Sequence, residues 1–150
     1  ISILDAGTLK EENIILGKRV TYLVCSKRFA EDFTKITIDF NNPKSISDIY
    51  TIMNNEFKNN IIITLEAKGC LFMKDGMIRL MPSINVTPVD TTGAGDLFHG
   101  AFAYCIASNF DIEKTLRISN ITGALSTTKM GGRNSVFTLK EVMDVYEKTL

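Results

Sequence analysis

The run Ile61-Ile62-Ile63-Thr64-Leu65 narrows the fold more than any other stretch. It is β-branched and apolar almost throughout, with Thr64 as its one polar residue and no alternation to offer a wet face. Such a strand belongs in the middle of a sheet covered on both sides, as parallel sheets are. Val20-Thr21-Tyr22-Leu23-Val24-Cys25 has the same character, and Ile1 to Asp5 reads as a further strand ending at Ala6-Gly7-Thr8. Helical patterns lie between them, and strands alternating with helices indicate an α/β layered domain with a mainly parallel sheet.

Thr8 is expected to cap a helix through Leu16. Ser26 should cap a short helix with Phe29, Ala30 and Phe33 on one face. Asn41-Asn42-Pro43 reads as a turn. Ser45–Phe57 reads as a helix whose core stripe is Ile46, Ile49, Ile52, Met53 and Phe57. Lys74-Asp75-Gly76 between Gly69–Met73 and Met77–Leu80 is a hairpin signal, because Asp-Gly suits the two left-handed positions of a tight turn. Helices follow at Gly95–Ser108, Ile112–Thr128 and Leu139–Lys148, and a glycine loop from Met130 to Ser135 precedes the last.

The chemistry concentrates in Val89-Asp90-Thr91-Thr92-Gly93-Ala94-Gly95-Asp96-Leu97-Phe98-His99-Gly100. Two glycines around an alanine let the backbone turn tightly and bring N–H groups close to a ligand. The helix that begins there adds unsatisfied N–H groups and the positive end of its dipole, the makings of an anion site. Asp96 then puts a carboxylate where the anion would sit. That is poor design for binding alone, but sensible if the acid handles a nucleophile while the loop holds an electrophile.

Other classes recede. The 17 basic and 17 acidic side chains balance, so no global field recruits nucleic acid or an anionic membrane. No signal peptide or bilayer-length apolar span is present, and the two Asn-x-Thr strings at Asn85 and Asn120 lack a secretory context. Cys25, Cys70 and Cys105 are an odd, widely spaced set, read as buried free thiols in a reducing cytoplasm. There is no P-loop string, and no Gly-x-Gly-x-x-Gly follows the first strand as a dinucleotide-dependent oxidoreductase would require.

Asp90-Thr91-Thr92-Gly93-Ala94-Gly95-Asp96 with Phe98-His99-Gly100 resembles the C-terminal signature of the PfkB (ribokinase-like) carbohydrate kinases. The resemblance covers nearly the whole chain and matches the C-terminal half of such a kinase. It implies a three-layer αβα, Rossmann-like fold. It also implies ATP-dependent phosphoryl transfer to a sugar hydroxyl, with Asp96 as base and the N–H groups of Gly93, Ala94 and Gly95 as anion hole. Thr64-Leu65-Glu66-Ala67-Lys68-Gly69 is similar to the family's nucleotide loop, with Glu66 where the first glycine usually stands. A carboxylate there repels a triphosphate unless it turns to solvent or meets Lys68.

The same resemblance assigns Thr64, Glu66, Gly69, Gly95, Asn120, Gly131 and Gly132 to the nucleotide, Asn120 at a position that contacts adenine in relatives. It assigns Asp90, Thr92, Ser126, Lys129, Gly131 and Ser135 to a monovalent cation such as K+, several through backbone carbonyls. Mg2+ would be held mainly by ATP phosphates and water, because Ser26-Lys27-Arg28-Phe29 replaces the usual Asn-x-x-Glu. His99 is expected to pack and Arg133 to lie exposed.

The implied partners are a small-molecule sugar and either a second copy of the chain or an N-terminal half. The opening run, with no initiator methionine, is read as a start inside a fold, and exposed apolar surface is expected where that half would pack. Two rivals stay open: a non-catalytic nucleotide-binding module, favoured by Glu66, and a nucleoside kinase.

Overall fold

Strand β1 (Ile3–Ala6) leads through helix α1 (Glu11–Gly17) to β2 (Tyr22–Ser26), then through α2 (Lys27–Thr34) and α3 (Pro43–Phe57) to β3 (Asn60–Thr64). A 3₁₀ turn at Glu66–Lys68 precedes β4 (Cys70–Lys74) and β5 (Met77–Met81), and α4 (Ala94–Ala107), α5 (Ile112–Ser126) and α6 (Leu139–Lys148) complete the chain. This computed structural model describes residues 1–149. It divides into two compact units: Ile1–Leu65 with Leu71–Leu80, and Glu66–Cys70 with Met81 onward.

The first unit carries the sheet, in the order β1-β2-β3-β4-β5. β1 pairs parallel with β2, in register Ile3 to Tyr22, and β2 pairs parallel with β3, in register Tyr22 to Asn60. Leu65 to Gly69 is far too short for a parallel crossover, so β4 runs against β3. Asp75 and Gly76, at φ 52° and 73°, form the left-handed pair of a two-residue turn and return the chain along β5. β4 is therefore the one reversed strand of the described sheet, which is mainly parallel as its composition implies.

Leu23, Val24 and Cys25 of β2 and Ile61, Ile62 and Ile63 of β3 are all buried. Phe29, Ala30, Ile49, Tyr50, Met53 and Phe57 from α2 and α3 pack into a core with Leu23, Cys25, Ile61 and Ile63. Ser26 ends β2 and starts α2 in one residue: its Oγ accepts from Phe29 N at 3.0 Å and donates to Gly7 O at 2.6 Å.

Three expectations need correction. Ile1 is 86% exposed and the first strand starts at Ile3, because Ser2 and Thr21 spend their hydroxyls on each other's backbone N–H groups at the sheet end. α1 starts at Lys10 as N-cap, while the Thr8 carbonyl accepts from Asn13 Nδ2. Ile52 lies off the α3 stripe, 39% exposed, and Tyr50 at 1% takes the core place. The buried set 49, 50, 53, 57 centres the stripe toward Tyr50 and away from position 52, although 52 also lies three residues from Ile49.

In the second unit α4 and α5 pack closely. A Cβ at Gly123 would sit 3.3 Å from Ala94 O and 3.6 Å from Phe98 Cβ, so the small residue sets the approach. Cys105, Ile118, Ile121 and Val142 form the buried centre between α4, α5 and α6. Thr138 opens α6 with a capping box: its Oγ1 accepts from the Glu141 N–H at 3.3 Å, and its own N–H donates to Glu141 Oε2 at 2.7 Å.

All three cysteines are buried and unbridged. Burial pushes Cys70 up to about 12 and Cys105 up to about 11, and Cys25 further still. None is a ready nucleophile. Among the described residues no helix is long and apolar enough to cross a membrane.

Candidate functional site

The glycine loop is shaped by one left-handed residue. Gly93 is the N-cap of α4 at φ 79°, a conformation that lets Thr92–Gly93 swing directly into the helix. No side chain caps this end. Asp96 is therefore not the N-cap; it stands inside the first turn, exposed, and makes no hydrogen bond or ion pair among the described residues. The three expected N–H donors differ. Ala94 donates to Thr91 O at 3.2 Å, a turn bond. Gly93 and Gly95 donate to no backbone carbonyl among the described residues, as the first turn of a helix requires.

Asp90 holds this loop in place. Its Oδ1 accepts from Thr92 N at 2.9 Å and its Oδ2 from Gly131 N at 2.8 Å, so one carboxylate ties the loop before α4 to the loop after α5. Val89 N and Asp90 N both donate to Thr127 O, at 2.7 and 3.0 Å, which anchors the same strand of chain to the end of α5. Gly132 lies against Gly93: a Cβ built on Gly93 would be 3.8 Å from Gly132 Cα. The two glycine loops are thus neighbours.

The N–H bonds to Asp90, those of Thr92 first and of Gly131 next, hold its carboxyl below the ordinary value of 3.8. A lowered folded pKa means the native state favours the charged form. Its contribution is present above the unfolded pKa and disappears as pH falls through the folded one. Asp90→Asn is accordingly expected to lower the urea midpoint at pH 7. The gap from wild type should narrow below about pH 3.9 and then close. Equal midpoints at pH 7 would remove Asp90 from this role.

The remaining oxygens suit a weakly hydrated cation. Ser126 Oγ donates to Gly123 O at 2.7 Å and Ser135 Oγ to Gly132 O at 2.9 Å, both hydroxyls buried with lone pairs to spare. These hydroxyls and the Asp90 carboxylate are oxygen donors, the type that hard cations take. Among the described residues no group of three His, Cys, Asp or Glu gathers to bind a metal. Lys129 places its ammonium 3.9 Å over the Phe137 ring, leaving only its backbone for an ion.

At the nucleotide-loop segment the second unit holds Glu66 to Cys70. Glu66 adopts φ 55°, the left-handed region that a glycine would occupy without strain, and its side chain is exposed rather than buried in the loop. Gly69 N closes the turn on Glu66 O at 3.1 Å. Gly69 itself is at φ 100°, and a Cβ there would lie 2.0 Å from Met81 O. Thr64, in the first unit, donates its hydroxyl to Cys25 O at 3.3 Å.

Asn120 is not a solvated helical residue but a buried one, with its amide nitrogen on Met81 O at 3.0 Å. His99 packs as expected, with Nδ1 2.7 Å from Gly95 O and its ring edge-on to Phe98, and Arg133 is exposed. What sequence reasoning missed is the Asp90 latch. An Asp two residues before a turn was a visible signal for the Thr92 bond, but its second partner lies 41 residues away.

A mainly parallel sheet entered through successive βα crossovers, with a glycine loop opening a helix one turn before a free carboxylate, defines the ribokinase-like αβα class. The chain belongs to the pfkB family carbohydrate kinases, whose family model matches residues 14–139. It is 36% identical over 87 residues to a ribokinase of Lactococcus lactis, a match spanning 58% of this chain and 29% of that protein. Arabidopsis thaliana ribokinase, solved with ribose and ATP, superposes with a TM-score of 0.81 at 22% identity, covering 95% of this chain and 46% of that one. Escherichia coli phosphofructokinase-2, solved with potassium, gives 0.78 at 17% identity, covering 97% and 46%. The chain thus spans about half the length of the solved structures it matches, and less than a third of the curated relative.

Proposed function

We propose that this chain supplies the nucleotide site, anion hole and catalytic base of an ATP-dependent carbohydrate kinase. The observation that carries the reading is the opening of α4: an unpaired Asp96 carboxylate in the first turn of a helix where the Gly93 and Gly95 N–H groups have no backbone acceptor. Bound Mg-ATP supplies the phosphoryl group and much of the charge neutralisation in such a reaction. Asp96 aligns the acceptor hydroxyl and takes its proton at a carboxylate oxygen. A carboxylate is a weak base, but in a loose transition state the alcohol loses its proton late, so alignment with acceptance suffices.

The N–H groups of Gly93 and Gly95 stabilise negative charge beside that hydroxyl, with the dipole of α4 behind them. Asp90 keeps the loop in register with Gly131 and Gly132. Thr64, Gly69 and the segment around Asn120 serve the nucleotide, and Glu66, exposed as it is, keeps its charge in water. The oxygen set of Asp90, Thr92, Ser126, Lys129, Gly131 and Ser135 holds a monovalent cation through carboxylate, hydroxyls and carbonyls. The potassium-bound relative supports that assignment, and the ribose- and ATP-bound one supports a sugar acceptor.

Calorimetric titration of the chain with Mg-ATP, first with sodium and then with potassium as the only monovalent ion, tests the reading. Saturable binding is expected, tighter in potassium, with Glu66→Gly binding at least as well as wild type. No binding to a chain shown to be folded would leave the nucleotide assignment without support.

A further inference from the structure

Asn120 sits in the middle of α5, 5% exposed, and its side chain faces inward. Its Nδ2 donates to Met81 O at 3.0 Å and reaches Pro82 O at 3.4 Å and Cys70 Sγ at 3.7 Å. An amide nitrogen has two hydrogens, and these three acceptors use both. The same Met81 carbonyl faces Gly69, where an added Cβ would be 2.0 Å away, with Ser83 N at 2.7 Å and Pro82 C at 2.8 Å. Gly69 therefore presses its bare backbone against the chain segment that Asn120 holds. Cys70, next in sequence, touches Asn120 directly.

We propose that Asn120 is a positioning residue for the Glu66–Gly69 loop, acting through the Met81 and Pro82 carbonyls and through Cys70, and not through its own donors on the nucleotide. The proposal rests on the reading of that loop as the nucleotide loop. An Asn presented to a base would keep its N–H groups for the ligand; here they are spent on backbone. Removing the side chain strands buried carbonyls, which pull toward water or toward new partners, and the loop backbone packed on Met81 loses its stop.

Cys70 reports the effect without reference to activity. Burial pushes its thiol up to about 12, so alkylation at pH 8 proceeds only through opening of this segment. Cys25 and Cys105 are buried elsewhere and serve as internal controls. Labelling of the 150-residue chain with iodoacetamide, resolved by peptide mass, is compared for wild type, Asn120→Ala and Asn120→Ser, the last retaining one donor. Cys70 should label about tenfold faster in Asn120→Ala and by less in Asn120→Ser, with Cys25 and Cys105 unchanged. No selective rise at Cys70, or an equal rise at all three, overturns the proposal.

A parallel arm with Mg-ATP separates the two ideas. Protection of Cys70 by Mg-ATP in wild type, weakened in Asn120→Ala, supports both. Selective exposure of Cys70 in Asn120→Ala with no nucleotide protection in either protein upholds the positioning role and sinks the nucleotide reading of the loop.

Discussion

Replacing Asp96 with alanine is expected to reduce phosphoryl transfer to a sugar hydroxyl by about 10²–10⁴-fold, the range of a positioned general base. Mg-ATP should bind the variant within a few-fold of wild type, and no more weakly, because a negative charge beside the anion hole has been removed. The split follows from where Asp96 stands. It is exposed in the first turn of α4, carries no part of the core, and is not the cap of the helix. Its loss therefore costs little structure, and Asp96→Asn, which keeps the shape, should lose turnover to a similar degree. Steady-state kinetics with a responsive sugar, beside calorimetry for Mg-ATP, make the comparison. Retained turnover in Asp96→Ala would move the base elsewhere, and loss of binding together with turnover would make the residue structural.

Gly69→Ala should be the most damaging single methyl in the chain, about 3 kcal/mol or more of stability or failure to fold. Position 69 combines φ 100° with a Cβ position 2.0 Å from a backbone oxygen, and backbone cannot step aside as a flexible side chain can. Gly76→Ala is the matched control. Gly76 has φ 73° but nothing within 4 Å of the added atom, so only the left-handed conformation is penalised, at about 1 kcal/mol. Urea unfolding of both variants separates crowding from conformation. Similar midpoints for the two would mean that the Met81–Gly69 approach relaxes freely and does not fix the loop.

The parts of this fold that sequence announces are those decided within a few residues. Asp75-Gly76 specifies its turn by local conformation. Ser26 caps α2 because a hydroxyl at a strand end is three residues from the N–H it satisfies. The unbroken apolar runs of β2 and β3 state their own burial. Gly93-Ala94-Gly95-Asp96 likewise advertised a helix start with a carboxylate one turn in.

Tertiary partners were harder to read. Tyr50 and Ile52 are equally plausible core residues until the phase of α3 against the sheet is known, and packing chose the aromatic. The inward turn of Asn120 depends on Met81 and Cys70, 39 and 50 residues away, and nothing near Asn120 reveals them. The turn bond from Ala94 N to Thr91 O is more local, yet it too escapes pattern reading, since it depends on how tightly the Thr91 carbonyl folds back. Chemical type was legible; the direction each donor points was not.

The interleaved order of the two units has a consequence for the timing of synthesis. Glu66–Cys70 belongs to the unit whose other residues begin at Met81, and Cys70 meets Asn120 only across 50 residues. At ribosomal rates of about 5–20 residues per second, the loop waits roughly 3–10 s after it is made before its strut exists. During that interval β2 and β3 can pair and bury their apolar runs, while the Met81–Ser83 segment against which Gly69 presses still lacks the Asn120 amide that holds its carbonyls. The nascent chain therefore acquires its sheet before the Glu66–Gly69 loop is fixed, and that loop is held by a residue made 50 positions after Cys70.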